Sequence, residues 1–166
     1  MKIYLAQINP VVGDLRGNAA KLLKIASDAY KNSSNLVITP ELSLWGYPPK
    51  DLLFKNSLIN EQNYILDELS TSIARNYEDL GIILGIAEKI EDPFYPNLFN
   101  SIVLVEKGKW SIIARKIILP TYEVFDEKRY FRSENKVAIL HKKHKNKVWK
   151  IGITICEDLW VNHDIE

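Results

Sequence analysis

Hydrophobic positions change their period several times along the chain, and each change marks a predicted element. Residues 2–9, KIYLAQIN, alternate in part and are rich in β-formers until Pro10 and Gly13 break the run, which predicts a strand entering a loop. The spacing then becomes three to four. Ala19, Leu22, Leu23, Ala26, Ala29 and Tyr30 fall on one face of a predicted helix, with Asn18 as its expected cap and the polar NSSN of residues 32–35 as its stop. Residues 36–39 form an apolar run ahead of Pro40 that is too short for a helix and suits a buried parallel strand. Glu41 stands just beyond the C-terminal end of that strand.

Residues 43–56, SLWGYPPKDLLFKN, are broken by Pro and Gly and read as a loop. Leu58, Gln62, Ile65, Leu69 and Ile73 recur at three- and four-residue steps and predict a second helix, with Ser57 as a possible cap. GIILGIAE, from Gly81, is a further buried strand. Two hairpins come next: residues 100–106 and 110–116 flank the turn KGK, and residues 136–140 and 148–155 flank the basic stretch KKHKNK. A βαβαβ run leading into hairpins predicts an α/β layer fold with a mixed sheet. The basic stretch, residues 142–147, is read as a solvated hairpin tip in preference to a phosphate contact.

Composition changes the picture mainly by exclusion. At 166 residues, 46% hydrophobic and 26% charged, the chain fits one globular domain that buries roughly 70% of its unfolded surface. Lys and Arg number 22 against 21 Asp and Glu, so no net field collects nucleic acid or an anionic membrane. No apolar run is long enough to span a bilayer and the N-terminus lacks a signal-peptide pattern. The single cysteine, Cys156, excludes an internal disulfide framework and suits a reducing compartment, so the cytoplasm is the expected location.

That cysteine ends the apolar strand IGITI and is succeeded at once by Glu157, Asp158 and Leu159. A thiol at such an elbow is exposed, and amides of an ensuing helix would favour its thiolate; the alternative is a cysteine that fills the core. Glu41, past a strand end, is a base or a capping carboxylate. Lys116 lies among Ile113, Ala114, Ile117, Ile118 and Leu119, where it either reaches outward from an edge or is buried beside a carboxylate. Together these residue types match acyl transfer: a base takes the thiol proton, the thiolate attacks a carboxamide carbon, and an ammonium stabilises the oxyanion. His141 and His144 belong to the basic stretch and His163 to the C-terminal end, which makes a Cys–His dyad or a metal site a poor reading.

The segments TPELSLWGYPPKDLL, RKIILPTYEVFDEKRYF and IGITICEDLW, in that order, resemble the three signature blocks of the nitrilase, or carbon-nitrogen hydrolase, superfamily. With the opening AQINPVVGDLRGN they are similar, over residues 2–160, to the glutamine-hydrolysing domain of glutamine-dependent NAD synthetases. The resemblance implies a four-layer α-β-β-α sandwich, with Glu41 as base, Lys116 as the oxyanion lysine and Cys156 as nucleophile. It further implies that Tyr122 and Glu157 line a glutamine pocket and that Glu127 is an additional acid near the triad. The amidase step needs no cofactor, while ATP and Mg²⁺ belong to a synthetase domain whose SGGxDS loop is absent from residues 1–166.

Such domains continue well past the cysteine block, whereas this sequence stops ten residues after Cys156. Residues 1–166 are therefore expected to be the N-terminal portion of the domain, to expose apolar surface and to self-associate. The expected partners are L-glutamine, a synthetase domain and further copies of the chain in a homo-oligomer. Two rival functions remain: a stand-alone hydrolase of another small amide or nitrile, and a non-catalytic remnant that acts as an assembly module.

Overall fold

The computed structural model describes residues 1–160, so His163 lies outside the described residues. Five strands form one sheet in sequence order: β1 (Ile3–Leu5), β2 (Leu36–Ile38), β3 (Gly81–Lys89), β4 (Leu98–Glu106) and β5 (Lys109–Arg115). β1, β2 and β3 pair parallel, while β4 pairs antiparallel with both β3 and β5, which gives the expected mixed sheet. The side-chain alternation of strands divides its residues between two faces. Val37, Ile82, Leu84, Val103 and Val105 face a core shared with helices α1 (Leu15–Lys31) and α2 (Asn56–Asn76). Leu36, Ile83 and Leu104 face the other way, against Leu140, Ile151 and Ile153 of a hairpin built from β6 (Ala138–His144) and β7 (Lys147–Ile153). Helices, sheet and hairpin supply three layers of a nitrilase-type α-β-β-α sandwich. The hairpin's outer side leaves Val137, Ile139 and Val148 exposed.

Several local expectations are corrected. Asp14, not Asn18, caps α1, its carboxylate accepting from the Gly17 N–H at 2.9 Å, and so the helix begins earlier than its apolar face suggests. Asn18 is instead fully buried and bonds the backbones of Val11 and Leu44. Ser57 caps nothing, because α2 starts at Asn56 after Lys55, which makes no side-chain cap. Tyr30 of the predicted apolar face is exposed. The strands predicted over residues 2–9 and 36–39 pair only over Ile3–Leu5 and Leu36–Ile38. The stretch 142–147 does close a hairpin whose tip is exposed, as expected, but it is mostly strand and Lys142 is buried in an ion pair with Glu106. A lysine's long stem reaches from the hairpin to the sheet, which the charge pattern alone does not disclose.

Early termination of β2 positions the site. Beyond Ile38 the parallel edge of β3 has lost its strand partner, and side chains and a turn satisfy it instead. Gly85 N–H donates to Ser43 Oγ at 3.2 Å and its carbonyl accepts from Leu44 N–H at 3.2 Å; Ala87 is bonded through both amide atoms to Gln62 of α2. Gln62 also accepts from the Trp45 indole. The turn over residues 42–45, most of it within the stretch 43–56 that reads as loop, thus buries Leu42, Leu44 and Trp45 completely.

Candidate active site

Glu41 rides on this buried turn. The neighbouring Leu42 has φ 45, a left-handed conformation held by the surrounding packing. Gly85 lets the turn lie against β3, since a Cβ there would overlap the Leu42 backbone and come within 2.9 Å of the Glu41 carbonyl carbon. Gly85→Ala is therefore expected to displace Glu41. It should lower stability by about 1–3 kcal/mol, read by thermal unfolding, and reduce turnover at least as severely as any effect on substrate binding.

Lys116 comes directly after β5 and is 1% exposed. Its ammonium donates to Glu41 Oε1 at 2.6 Å and to Glu127 Oε1 at 2.8 Å, which resolves the two sequence readings in favour of a buried lysine beside carboxylates. Burial by itself would pull the Lys116 pKa down, but the charge of Glu41 and the hydrogen bonds to Glu127 and Glu41 outweigh it and raise it, so the cation persists. Glu127 sits in a helical turn (Glu127–Arg129) and is 4% exposed. Burial pushes its carboxyl above the usual range, against the Lys116 bond, and the nearby charge of Glu41 pushes the same way. Its Oε1 also accepts from the Tyr47 hydroxyl at 2.8 Å, and burial together with that bond drives the Tyr47 phenol upward. Asn100 of β4 completes the cluster: its Nδ2 donates to Glu41 Oε1 at 2.6 Å and its carbonyl accepts from the Lys116 N–H at 2.8 Å.

Cys156 stands exposed at the end of the β7 segment with φ 47, which removes the core-filling alternative. The cysteine opens only a single helical turn (Cys156–Leu159), whose Glu157 amide favours the thiolate in the expected sense. Loss of hydration raises the thiol pKa first, with Glu41 and Glu127 adding to it; Lys116 and the Glu157 amide lower it but do not prevail. The balance of these influences raises the thiol pKa.

Asp158 anchors this elbow. Its Oδ1 accepts from Ile117 N–H at 3.1 Å and Ile118 N–H at 2.8 Å, and its Oδ2 from Ile155 N–H at 3.1 Å, so one side chain ties the cysteine turn to the segment after Lys116. Sequence reasoning did not single out Asp158, Asn100 or Tyr47. The available signals were a lone Asn in the apolar strand LFNSIVLV and an acid two residues after the thiol.

A cavity of about 230 Å³ between the sheet and the hairpin is bounded by Thr39 and Glu41 on one side and Ile153, Thr154 and Cys156 on the other. Outside it, the Tyr122 hydroxyl donates to Glu157 Oε2 at 3.0 Å, and the Tyr122 ring packs edge-on to that of Phe125 with centroids 5.3 Å apart. The bond to Glu157 raises the Tyr122 pKa. All six sequence-derived residues, Glu41, Lys116, Tyr122, Glu127, Cys156 and Glu157, are brought to this region of the molecule. A larger groove of about 660 Å³ between α1 and α2, lined by Arg16, Tyr64 and Arg75 among others, holds none of them. Among the described residues no group of three His, Cys, Asp or Glu side chains is arranged to hold a metal, and no helix is long and apolar enough to cross a membrane.

A sheet with a carboxylate and a buried lysine beyond its strand ends, facing a cysteine that follows the covering hairpin, is the architecture of a carbon-nitrogen hydrolase, and the model of that family matches residues 2–164. The chain belongs to the carbon-nitrogen hydrolase family. Within it, the chain is similar to the glutamine-dependent NAD(+) synthetase of Synechocystis sp., with 40% identity over 161 residues, 95% of this chain and 28% of that protein. The structure of glutamine-dependent NAD+ synthetase from Acinetobacter baumannii in complex with ADP superimposes with a TM-score of 0.76 at 31% identity, covering 95% of this chain and 28% of that one. An amidase from Nesterenkonia sp. shares the fold alone, with a TM-score of 0.65 at 19% identity over 84% of this chain and 51% of that chain. The chain thus spans little more than a quarter of the length of the synthetases it matches.

Proposed function

We propose that this chain hydrolyses the side-chain amide of L-glutamine through a thioester on Cys156, and that the released ammonia serves an NAD synthetase domain. The observation that carries this reading is the buried Lys116 ammonium bonded to Glu41, next to a cavity that Glu41 and Cys156 share. Glu41 takes the proton that the raised thiol retains, and the thiolate attacks the carboxamide carbon. The Lys116 ammonium stabilises the oxyanion. Collapse breaks the C–N bond, with the proton passing from Glu41 to the departing ammonia. Water, deprotonated by Glu41, then attacks the thioester, and glutamate leaves as the thiol regains its proton. Glu127 supports the cation from the far side as the additional acid. Neither metal nor organic cofactor takes part in these steps; ATP and Mg²⁺ would act in the synthetase domain.

Glutamine is favoured over a plain amide by the likeness to glutamine-dependent synthetases and by the Tyr122–Glu157 pair, which offers a carboxylate and a phenol to an α-ammonium group. Glu157→Ala in the full-length protein should reduce kcat/KM for glutamine roughly ten- to a hundredfold, and far less for an amide without the α-amino group. Steady-state kinetics on both amides decide the matter. Equal losses would mean that Glu157 only supports the elbow, and the substrate would then be another small amide.

A further inference from the structure

We propose that Asn100 is a positioning residue that decides which oxygen of Glu41 acts as the base, reserving Oε2 for the Cys156 proton. This rests on the reading of Glu41 as that base. Among the described residues both hydrogen bonds that reach the Glu41 side chain, from Asn100 Nδ2 and from Lys116 Nζ, end on Oε1 at 2.6 Å. A carboxylate oxygen has two lone pairs, and these two donors occupy both. The proton that leaves the thiol must therefore arrive at Oε2.

Lys116 cannot enforce this choice by itself. The terminal torsion of a glutamate is soft and nearly two-fold, so a carboxylate held by one ammonium can present either oxygen or share both. A second donor from another direction removes that freedom. Asn100 comes from β4, where it lies opposite Ala87 of β3, so the sheet itself aims the amide. The same residue accepts the Lys116 N–H through its backbone carbonyl, and thereby sets base and cation relative to one another. Its orientation is dictated by charge, since reversing the amide would set its oxygen against the Glu41 carboxylate.

Asn100 is 1% exposed, and among the described residues its buried Oδ1 has no hydrogen-bond partner. An unpaired buried acceptor is a standing cost that an apolar residue of similar volume would avoid. A position that keeps an amide at that cost, inside the apolar strand LFNSIVLV, is explained by what the other end of the amide does for Glu41.

The test uses Asn100→Leu and Asn100→Ala in the full-length protein, with rates expressed per folded molecule. The expected result is a kcat for glutamine lower by roughly tenfold to a hundredfold in both, with KM changed by less than about threefold. The thermal midpoint of the Leu variant should be equal to or above that of the parent. Near-normal kcat in either folded variant overturns the inference, as does a loss carried mainly by KM. Failure of both variants to fold also overturns it, since Asn100 would then be a structural residue. Glu41→Gln in the same assay separates the two levels. If it retains turnover, the base reading fails and the inference falls with it; if it is inactive while the Asn100 variants turn over normally, only the inference falls.

Discussion

Lys116→Met is expected to lower amide turnover about a thousandfold and to destabilise the protein in a pH-dependent way. Loss of one oxyanion donor costs about a hundred- to a thousandfold, and here the same change also releases Glu41. The stability effect comes from two carboxylates left facing each other without their cation, a break that costs about 3–5 kcal/mol when the remaining charge is buried. Its sign with pH is set by Glu127, whose carboxyl already lies above the usual range in the folded state. Removing Lys116 removes a group that lowers it, so the folded pKa rises further above the unfolded value. The penalty is then full above the folded pKa and disappears as pH falls to the ordinary carboxylate range. Thermal unfolding of parent and variant at pH 5 and pH 8 should accordingly show the larger deficit at pH 8. A deficit independent of pH would contradict the picture of Glu127 and Glu41 as opposed carboxylates.

Glu41→Gln is expected to reduce turnover about a thousand- to ten-thousandfold while leaving Cys156 at least as reactive toward iodoacetamide. The glutamine side chain retains an oxygen for Lys116 and Asn100 but cannot take a proton. The charge of Glu41 is one of the influences that hold the thiol up, so its removal increases the thiolate fraction at neutral pH. Turnover and alkylation thus move apart, which a collapsed elbow would not produce. Combining Glu41→Gln with Cys156→Ala should add little to either single loss, because residues that act as a unit lose most of the rate with the first change. Retention of near-normal turnover would shift the base to Glu127.

The groups that carry chemistry were legible because each interrupts an apolar pattern at a strand end: Glu41 after LVIT, Lys116 within IIARKIIL and Cys156 after IGITI. The groups that hold them were not. Asn100 and Asp158 act through hydrogen bonds to residues 59 and 40 positions away, and a polar side chain in a strand or an acid in a turn has many commoner uses. Tyr47 reaches Glu127 across 80 positions from a stretch that read as loop. Helix starts failed for a related reason: Asp14 lies ahead of the apolar stripe of α1, and the stripe, not the cap, was the visible signal.

What the sequence by itself determined was the order of elements, the mixed sheet and the chemical types at three strand ends, since hydrophobic period and breaker residues act within a few positions and are read locally. Only the tertiary structure decided the partners of those groups and the direction in which burial and charge shift them. It buried Lys116 between two carboxylates, set burial and nearby carboxylates against the Glu157 amide at the Cys156 thiol, and directed both donors on Glu41 to one oxygen. Such outcomes depend on desolvation and on charges brought together by the sheet. Both are set by distances in space, and spacing along the chain does not encode them.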